Sequence, residues 1–242
     1  MPRSVLERAV IAAGLALTIV ATPGGCGAGG FGAELTARPE PRDLKNADGE
    51  KLSLPADEAF TIRLPKATKE AALGGTANAD ASAERTGAAA ASADVSNGGS
   101  AAGTFQLGHA VRNATNRQIE LQVAVSLAYE FETKADPPSP LPDSSVSLKI
   151  FAIDQRSRVL HDLDVALHSS DRGLAASKSS QELSFFVTLG PGDSINIYAA
   201  GQAAVGVKEG HSAASVLKLS GLKMDLLTKP APPVRTAADG PK

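Results

Sequence analysis

The chain has no tryptophan, two tyrosines and seven phenylalanines, so aromatics make up only 4% of its 242 residues. That is thin for a core spread over the whole length, and it predicts that the large apolar side chains are concentrated in one part. Cysteine is nearly absent. The single Cys26 excludes an internal disulfide and any cage of paired cysteines, so the folded part must hold itself by packing. An excess of one charge is missing too: 24 Lys and Arg against 26 Asp and Glu give a net charge of -2, with no dense basic run. A phosphate backbone would find no electrostatic footprint, which argues against nucleic acid as a partner. No residue pattern asks for a cofactor, and none is expected.

Long apolar runs are also missing, apart from one near the amino terminus. Met1 to Arg8 carries Arg3 and Arg8, and the uncharged AVIAAGLALTIVA of Ala9 to Ala21 follows before a group of small residues. Charged, then apolar, then small is the order of a secretory leader. Thirteen residues at about 1.5 Å each reach roughly 20 Å, short of the roughly 30 Å hydrocarbon layer, so a permanent span is the weaker reading. The next stretch, TPGGCGAGGFG, offers two jobs. Gly27, Gly29 and Gly32 fit the dinucleotide pattern G-x-G-x-x-G, which needs a strand just before it and a helix just after. Pro39 and Pro41 forbid that helix. Gly24, Gly25 and Cys26 instead resemble the lipobox of bacterial lipoproteins, in which small residues precede the acylated cysteine; Pro23 stands where that motif usually has Leu. The resemblance implies a cleaved leader over residues 1–26, lipidation of Cys26 and an extracytoplasmic, membrane-anchored protein. Plain secretion with cleavage nearby is the alternative.

Residues 27–67 read as a polar, proline-studded extension with one possible strand at 60–64, where Phe60, Ile62 and Leu64 alternate. Residues 68–103 carry almost no large apolar side chain beyond Leu73, which predicts an Ala/Gly/Ser-rich flexible linker. The signal changes at Thr104. In RQIELQVAVSLAYEFET every odd position from Ile119 to Phe131 is apolar, the period of a half-buried strand. Phe105, Leu107 and Val111 alternate just before it, with NATN as the turn, which predicts a hairpin. Further alternating runs lie at 146–150, 163–167, 183–189, 195–197 and 217–226, and the period slips at Gly221, where a β-bulge would restore it. LGPGDSI places Pro191 and Gly192 at the centre of a type II turn. These strands need a second sheet to cover them, so the fold class is all-β: an antiparallel sandwich over residues 104–229, with a disordered tail at 230–242. RNATNRQIELQVAVSL and LGPGDSINIY resemble the immunoglobulin-like or fibronectin-like modules of bacterial surface proteins, which implies an immunoglobulin-like β-sandwich.

Candidate chemistry is sparse. In HDLDVALH strict alternation puts Asp162, Asp164 and His168 on one strand face, opposite His161, and that trio could hold a divalent cation. A solvated face is the plainer reading. His109 alternates with Phe105, Leu107 and Val111, as a partly buried, satisfied histidine would. GHSAA, with Ser212, approaches the nucleophile elbow, but no histidine follows it. Ser215 and Lys218 match S-x-x-K, yet on a strand they point to opposite faces. Asp136, Asp143, Asp154 and Asp193 fall in expected loops, where they could meet Ca²⁺, and Asn113-Ala114-Thr115 is a glycosylation sequon. No catalytic or metal residue is assigned. The function expected is a non-enzymatic, extracytoplasmic cell-envelope β-sandwich module on a flexible tether, binding a protein or polysaccharide partner. The alternatives are a small-ligand or divalent-metal envelope receptor, or an unrecognised hydrolase. The anchor has a direct test: radioactive fatty acid should label the chain, and Cys26→Ser should abolish the label, whereas equal labelling of both rules the anchor out.

Overall fold

A computed structural model describes residues 39–137, 143–172 and 176–231. The leader, Cys26 and residues 232–242 lie outside the described residues. Among those described the structure is β throughout, apart from a 3-10 turn at Ser170–Arg172. The strands are β1 (Arg42–Leu44), β2 (Lys51–Leu54), β3 (Ile62–Ala71), β4 (Thr76–Ala83), β5 (Ala89–Ser96), β6 (Gly99–Asn113), β7 (Ile119–Asp136), β8 (Ser144–Asp154), β9 (Val159–Ser169), β10 (Ala176–Leu189), β11 (Ser194–Val207) and β12 (Ser212–Pro230). They form two six-stranded sheets. The back sheet runs β1-β6-β11-β8-β9, with β3 also on β6; the front sheet runs β10-β7-β12-β5-β4, with β2 also on β12. Their apolar faces close on each other as a sandwich.

The pattern of β7 explains why. Its odd residues from Ile119 to Phe131 are at most 6% exposed, and the even residues between them reach solvent. This is what period two demands of a strand between a core and water. Facing rows from β6 (Phe105, Leu107, Val111), β8 (Val146, Leu148, Ile150) and β11 (Ile195, Ile197) complete one continuous core. In β12 the register shifts between Ser220 and Lys223, around Gly221 at φ +75°. The bulge keeps Leu219, Leu222 and Met224 all inward. Gly192 has φ +80°, and Asp193 N–H donates to the Gly190 carbonyl at 3.1 Å, as a type II turn requires.

Three expectations are overturned. Residues 68–103 are not a linker: they hold the last four residues of β3, all of β4 and β5, and the start of β6, and β1, β2 and the rest of β3 lie in the expected extension, so the sandwich begins well before Thr104. Ala89, Ala91, Ala93 and Val95 face inward at 0–4% exposure; Ala89 and Ala91 join the main core, while Ala93 and Val95 meet Ala101, Val205, Val207 and Ala213. Composition misleads here because small side chains bury little area each, yet they let the sheets approach closely. A Cβ on Gly103 would stand 2.3 Å from the Asp80 carbonyl oxygen of the opposite sheet. Secondly, β6 and β7 are not a hairpin, since they belong to different sheets. From β3 onward only β4–β5 and β8–β9 pair with their chain neighbour, and every other connection crosses between layers. Thirdly, Phe60 does not share a face with Ile62 and Leu64: Phe60 lies in the main core, while the other two belong to a small cluster behind the back sheet.

The crossing from β6 to β7 is held by Asn113, which is fully buried. Its Nδ2 donates to the carbonyls of Arg117 (2.8 Å), Leu189 and Gly190 (both 3.0 Å), and its Oδ1 accepts from Thr115 N–H at 3.0 Å and Oγ at 2.7 Å. One side chain thus ties this corner to the β10–β11 turn. Asn113→Ala leaves several buried carbonyls unpaired and should cost at least about 2 kcal/mol of stability, read from the urea midpoint. A loss below about 0.5 kcal/mol would contradict the corner's role.

Candidate binding face

On the front sheet the even residues of β7 point away from the core, and the register places β10 and β12 side chains beside them in rows. Glu182, Ser126 and Lys223 form one row, Ser184, Ala124 and Asp225 the next, then Phe186, Gln122 and Leu227, and finally Thr188, Glu120 and Lys229. The middle strand carries the short side chains Ala124, Ser126 and Ala128; Ser126 lies between Glu182 and Lys223, Ala124 between Ser184 and Asp225, and Ala128 between Ser180 and Ser220. The result is a shallow trough along β7, about 20 Å from Ala128 to Gln122 at roughly 3.3 Å per residue. A depression of about 320 Å³ opens at its upper end, between Ser126, Ala128, Ser180, Glu182 and Lys223, beside the Gly221 bulge. At the lower end the Phe186 ring is 49% exposed, and Lys229 Nζ lies 5.5 Å from its centre.

This arrangement has an apolar plate at one end and hydroxyl, amide, ammonium and carboxylate groups along its length. It offers stacking on the ring and many weak hydrogen bonds over an open surface, rather than a closed chamber. Only part of it was legible in the sequence: the polar phase of β7 is plain, but its partners come from register. The available signal was Phe186, a large apolar side chain out of phase with the inward Phe185 and Val187.

The residues singled out from sequence go elsewhere. Asp162, Asp164 and His168 are not a cation site. The β8–β9 register shifts at Leu148/Lys149, which leaves Val165 as an extra residue and reverses the facing beyond it. His168 therefore turns inward and stacks on Phe131 at 4.1 Å, whereas Asp162 and Asp164 stay outside and hold Lys149 at 3.2 and 2.9 Å. The two carboxylates, Asp164 foremost, raise the Lys149 pKa above the usual lysine value. No group of three possible ligands gathers anywhere among the described residues. Of the expected loop carboxylates, Asp154 receives Arg158 at 2.6 Å, and Asp193 accepts the Gly190 N–H at 2.8 Å. Ser212 starts β12 with its hydroxyl on Ser96, so it sits on no elbow. Ser215 is buried and bonds the Ala204 carbonyl, while Lys218 points outward to Glu130, on opposite faces as expected. The sequon asparagine is the buried corner residue, its nitrogen already engaged. His109 is more deeply buried than expected, at 1% exposure, and it is not fully satisfied: its Nε2 has no hydrogen-bond partner among the described residues.

No protein-family model matches the chain, and no curated protein does. Among solved structures it is similar to the CBM22-1 xylan-binding domain from Paenibacillus barcinonensis Xyn10C, at 13% identity and TM-score 0.23, over 77% of this chain and 99% of that one. It is similar also to the Family 11 Carbohydrate-Binding Module of cellulosomal cellulase Lic26A-Cel5E of Clostridium thermocellum, at 9% and 0.22, over 76% of this chain and 98% of that one. A third likeness is to the arabinose-bound MgGH51 α-L-arabinofuranosidase, at 9% and 0.25, where 66% of this chain spans 23% of the enzyme. At these values the likenesses bear on neither the site nor its ligand.

His109 sits beneath the edge of the back sheet, with Thr61 Oγ 3.4 Å from Nδ1 and the Glu58 carboxylate 3.8 Å from Nε2. Burial is the stronger influence and holds its pKa below the ordinary histidine value, with Glu58 opposing. The unfolded chain therefore takes up a proton that the folded state resists. Stability from this source is complete above the unfolded value of about 6.5 and declines as pH falls through it. The urea midpoint should drop between pH 7.5 and 5, and His109→Gln should flatten that drop; an unchanged slope would refute the assignment.

Proposed function

We propose that the protein is a non-enzymatic binding module that holds a polysaccharide chain along the front-sheet trough. The observation that carries this reading is the pairing of a half-exposed Phe186 ring, under Lys229, with a floor of alanine and serine between polar flanks. A flat apolar ring bears on the C–H face of a sugar, and the flanking side chains of Gln122, Glu182, Lys223 and Asp225 meet its hydroxyls. An open trough suits a polymer that enters from either end. A small ligand needs an enclosing cavity, which buries most of its surface.

The leader-like amino terminus and the lipobox-like Cys26 support an envelope location, with the sandwich outside the cytoplasm and a lipid holding it to a membrane. A surface-tethered module of this kind retains polymer at the cell boundary by many weak contacts.

Affinity electrophoresis through gels containing soluble glucan, xylan or a uronate polymer tests the reading. At least one polymer should retard the protein. Phe186→Ala should abolish that retardation, and Ala124→Arg should do the same by filling the trough floor. Both positions face solvent, so the urea midpoint should change by less than about 0.5 kcal/mol. Free migration of the unsubstituted protein in every gel, or retardation that survives both substitutions, overturns the proposal.

A further inference from the structure

The back sheet ends on one side in a strand that a single neighbour holds. β3 pairs with β6, and among the described residues nothing pairs with its other edge. A strand between a core and water buries every second residue. From Pro65 to Ala71, however, every residue of β3 is exposed, whichever face it points to. This part of β3 is a flange free of cover on both faces. The bond from Ala72 N–H to the Gly98 carbonyl, at 3.1 Å, sets the phase of the ladder. Even residues turn their N–H and C=O toward β6, and Ala67, Lys69 and Ala71 turn theirs outward. Pro65 falls in the outward phase, where its missing N–H takes no bond from β6. The opposite side of the sandwich differs: there β9 and β10 place side chains on each other's carbonyls, His161 on Phe186 and Gln181 on Val165.

An open row of outward N–H and C=O groups is a template for one more strand. The charges on β3 decide which strand fits. A second β3 laid antiparallel beside the first is related to it by a two-fold axis, and the centre of the flange offers Lys66 to Glu70 as places for that axis. An axis through Lys66, Lys69 or Glu70 sets a charge directly against its own copy. An axis through Ala67 sets Glu70 against Leu64. The axis through Thr68 alone sets Lys66 against Glu70, on both sides of the centre, with Thr68 against Thr68 and Lys69 against Ala67. Opposite charges and paired threonines are favourable cross-strand neighbours, and both fall at non-hydrogen-bonded positions, where side chains come closest. The same register brings Leu73, which is 100% exposed at the turn after β3, level with Arg63 of the second copy, whose methylene stem can cover it.

We propose that two copies of this chain join through β3, antiparallel about Thr68, and make one continuous sheet of their two back sheets. Ala67 and Lys69 exchange the ladder bonds, and the two Lys66–Glu70 pairs fix the register. The axis stands perpendicular to the joined sheet, so both front sheets face the same way. Two troughs then lie on one side and hold a polymer at two places; that consequence rests on the proposed function, whereas the pairing does not.

Sedimentation of the full chain between about 1 and 100 μM should show a monomer–dimer equilibrium. Lys66→Glu and Glu70→Lys should each weaken the dimer at least about tenfold, because each sets like charges against each other at both ends of the join. Lys66→Glu/Glu70→Lys brings opposite charges back together and should return the dissociation constant to within about threefold of the original. Both side chains are exposed, so the urea midpoint should stay the same in all three variants. Ala67→Pro is a second check: it removes an outward N–H without touching the bonds to β6, and it should leave a folded monomer. A chain that remains monomeric up to about 100 μM overturns the proposal. So does a dimer that survives both single reversals, or one that the paired reversal fails to restore. Polysaccharide retardation is read separately, so failure of one claim leaves the other standing.

Discussion

The inward row of β7, Ile119 to Phe131, is the surface on which both layers close. β7 sits between β10 and β12 in the front sheet, so it fixes the register of both neighbours. Its odd side chains face β6, β8 and β11 across the core. A one-residue slip of this strand would send seven apolar side chains to water and seven mostly polar ones into the core, which is why the register is strongly specified. The same alternation composes the outer face. The trough exists because Ala124, Ser126 and Ala128 occupy the even phase of the strand whose odd phase makes the core, so binding surface and core are two readings of one stretch of chain.

One lateral edge is managed in a way that keeps it from serving as a contact surface. β9 and β10 end their sheets on the same side of the sandwich. His161 Nε2 lies 3.1 Å from the Phe186 carbonyl, and Gln181 Nε2 donates to the Val165 carbonyl at 3.2 Å. Side chains from each edge strand thus occupy backbone acceptors of the other, and the bulge at Val165 breaks the regular ladder. These are devices that discourage a further strand from adding. The crossing connections have a kinetic counterpart: strands that pair with distant partners must close long loops before contacts reward them, which makes for slow folding.

The narrow end shows how composition and structure part company. β5 buries alanines, not leucines, and the layers draw together until Gly103 leaves no room for a Cβ. Each alanine contributes little apolar area, roughly 25 cal/mol per Å² of what it covers, so the end holds as the margin of a larger core. A count of large side chains sees a linker in this stretch. The pairing of Ala89–Ser96 with β12 on one side and β4 on the other is what orders it.

The sequence by itself determined which residues alternate and in which phase, and that was sufficient for the all-β class, the inward face of β7, the bulge at Gly221 and the turn at Pro191–Gly192. Period two is a local property, and so is a glycine that must take positive φ. Tertiary structure alone decided which strand lies beside which. The Asp162, Asp164 and His168 trio was lost to one extra residue at Val165, whose placement depends on the partner strand β8. Asn113 reads as a surface sequon until the chain turns from one sheet to the other and buries it. Phe186 meets Gln122 and Lys229 only through register with strands more than fifty residues away on one side and more than forty on the other. Pairing between distant segments depends on the free energy of the whole assembled core, and no local window of the chain contains that quantity.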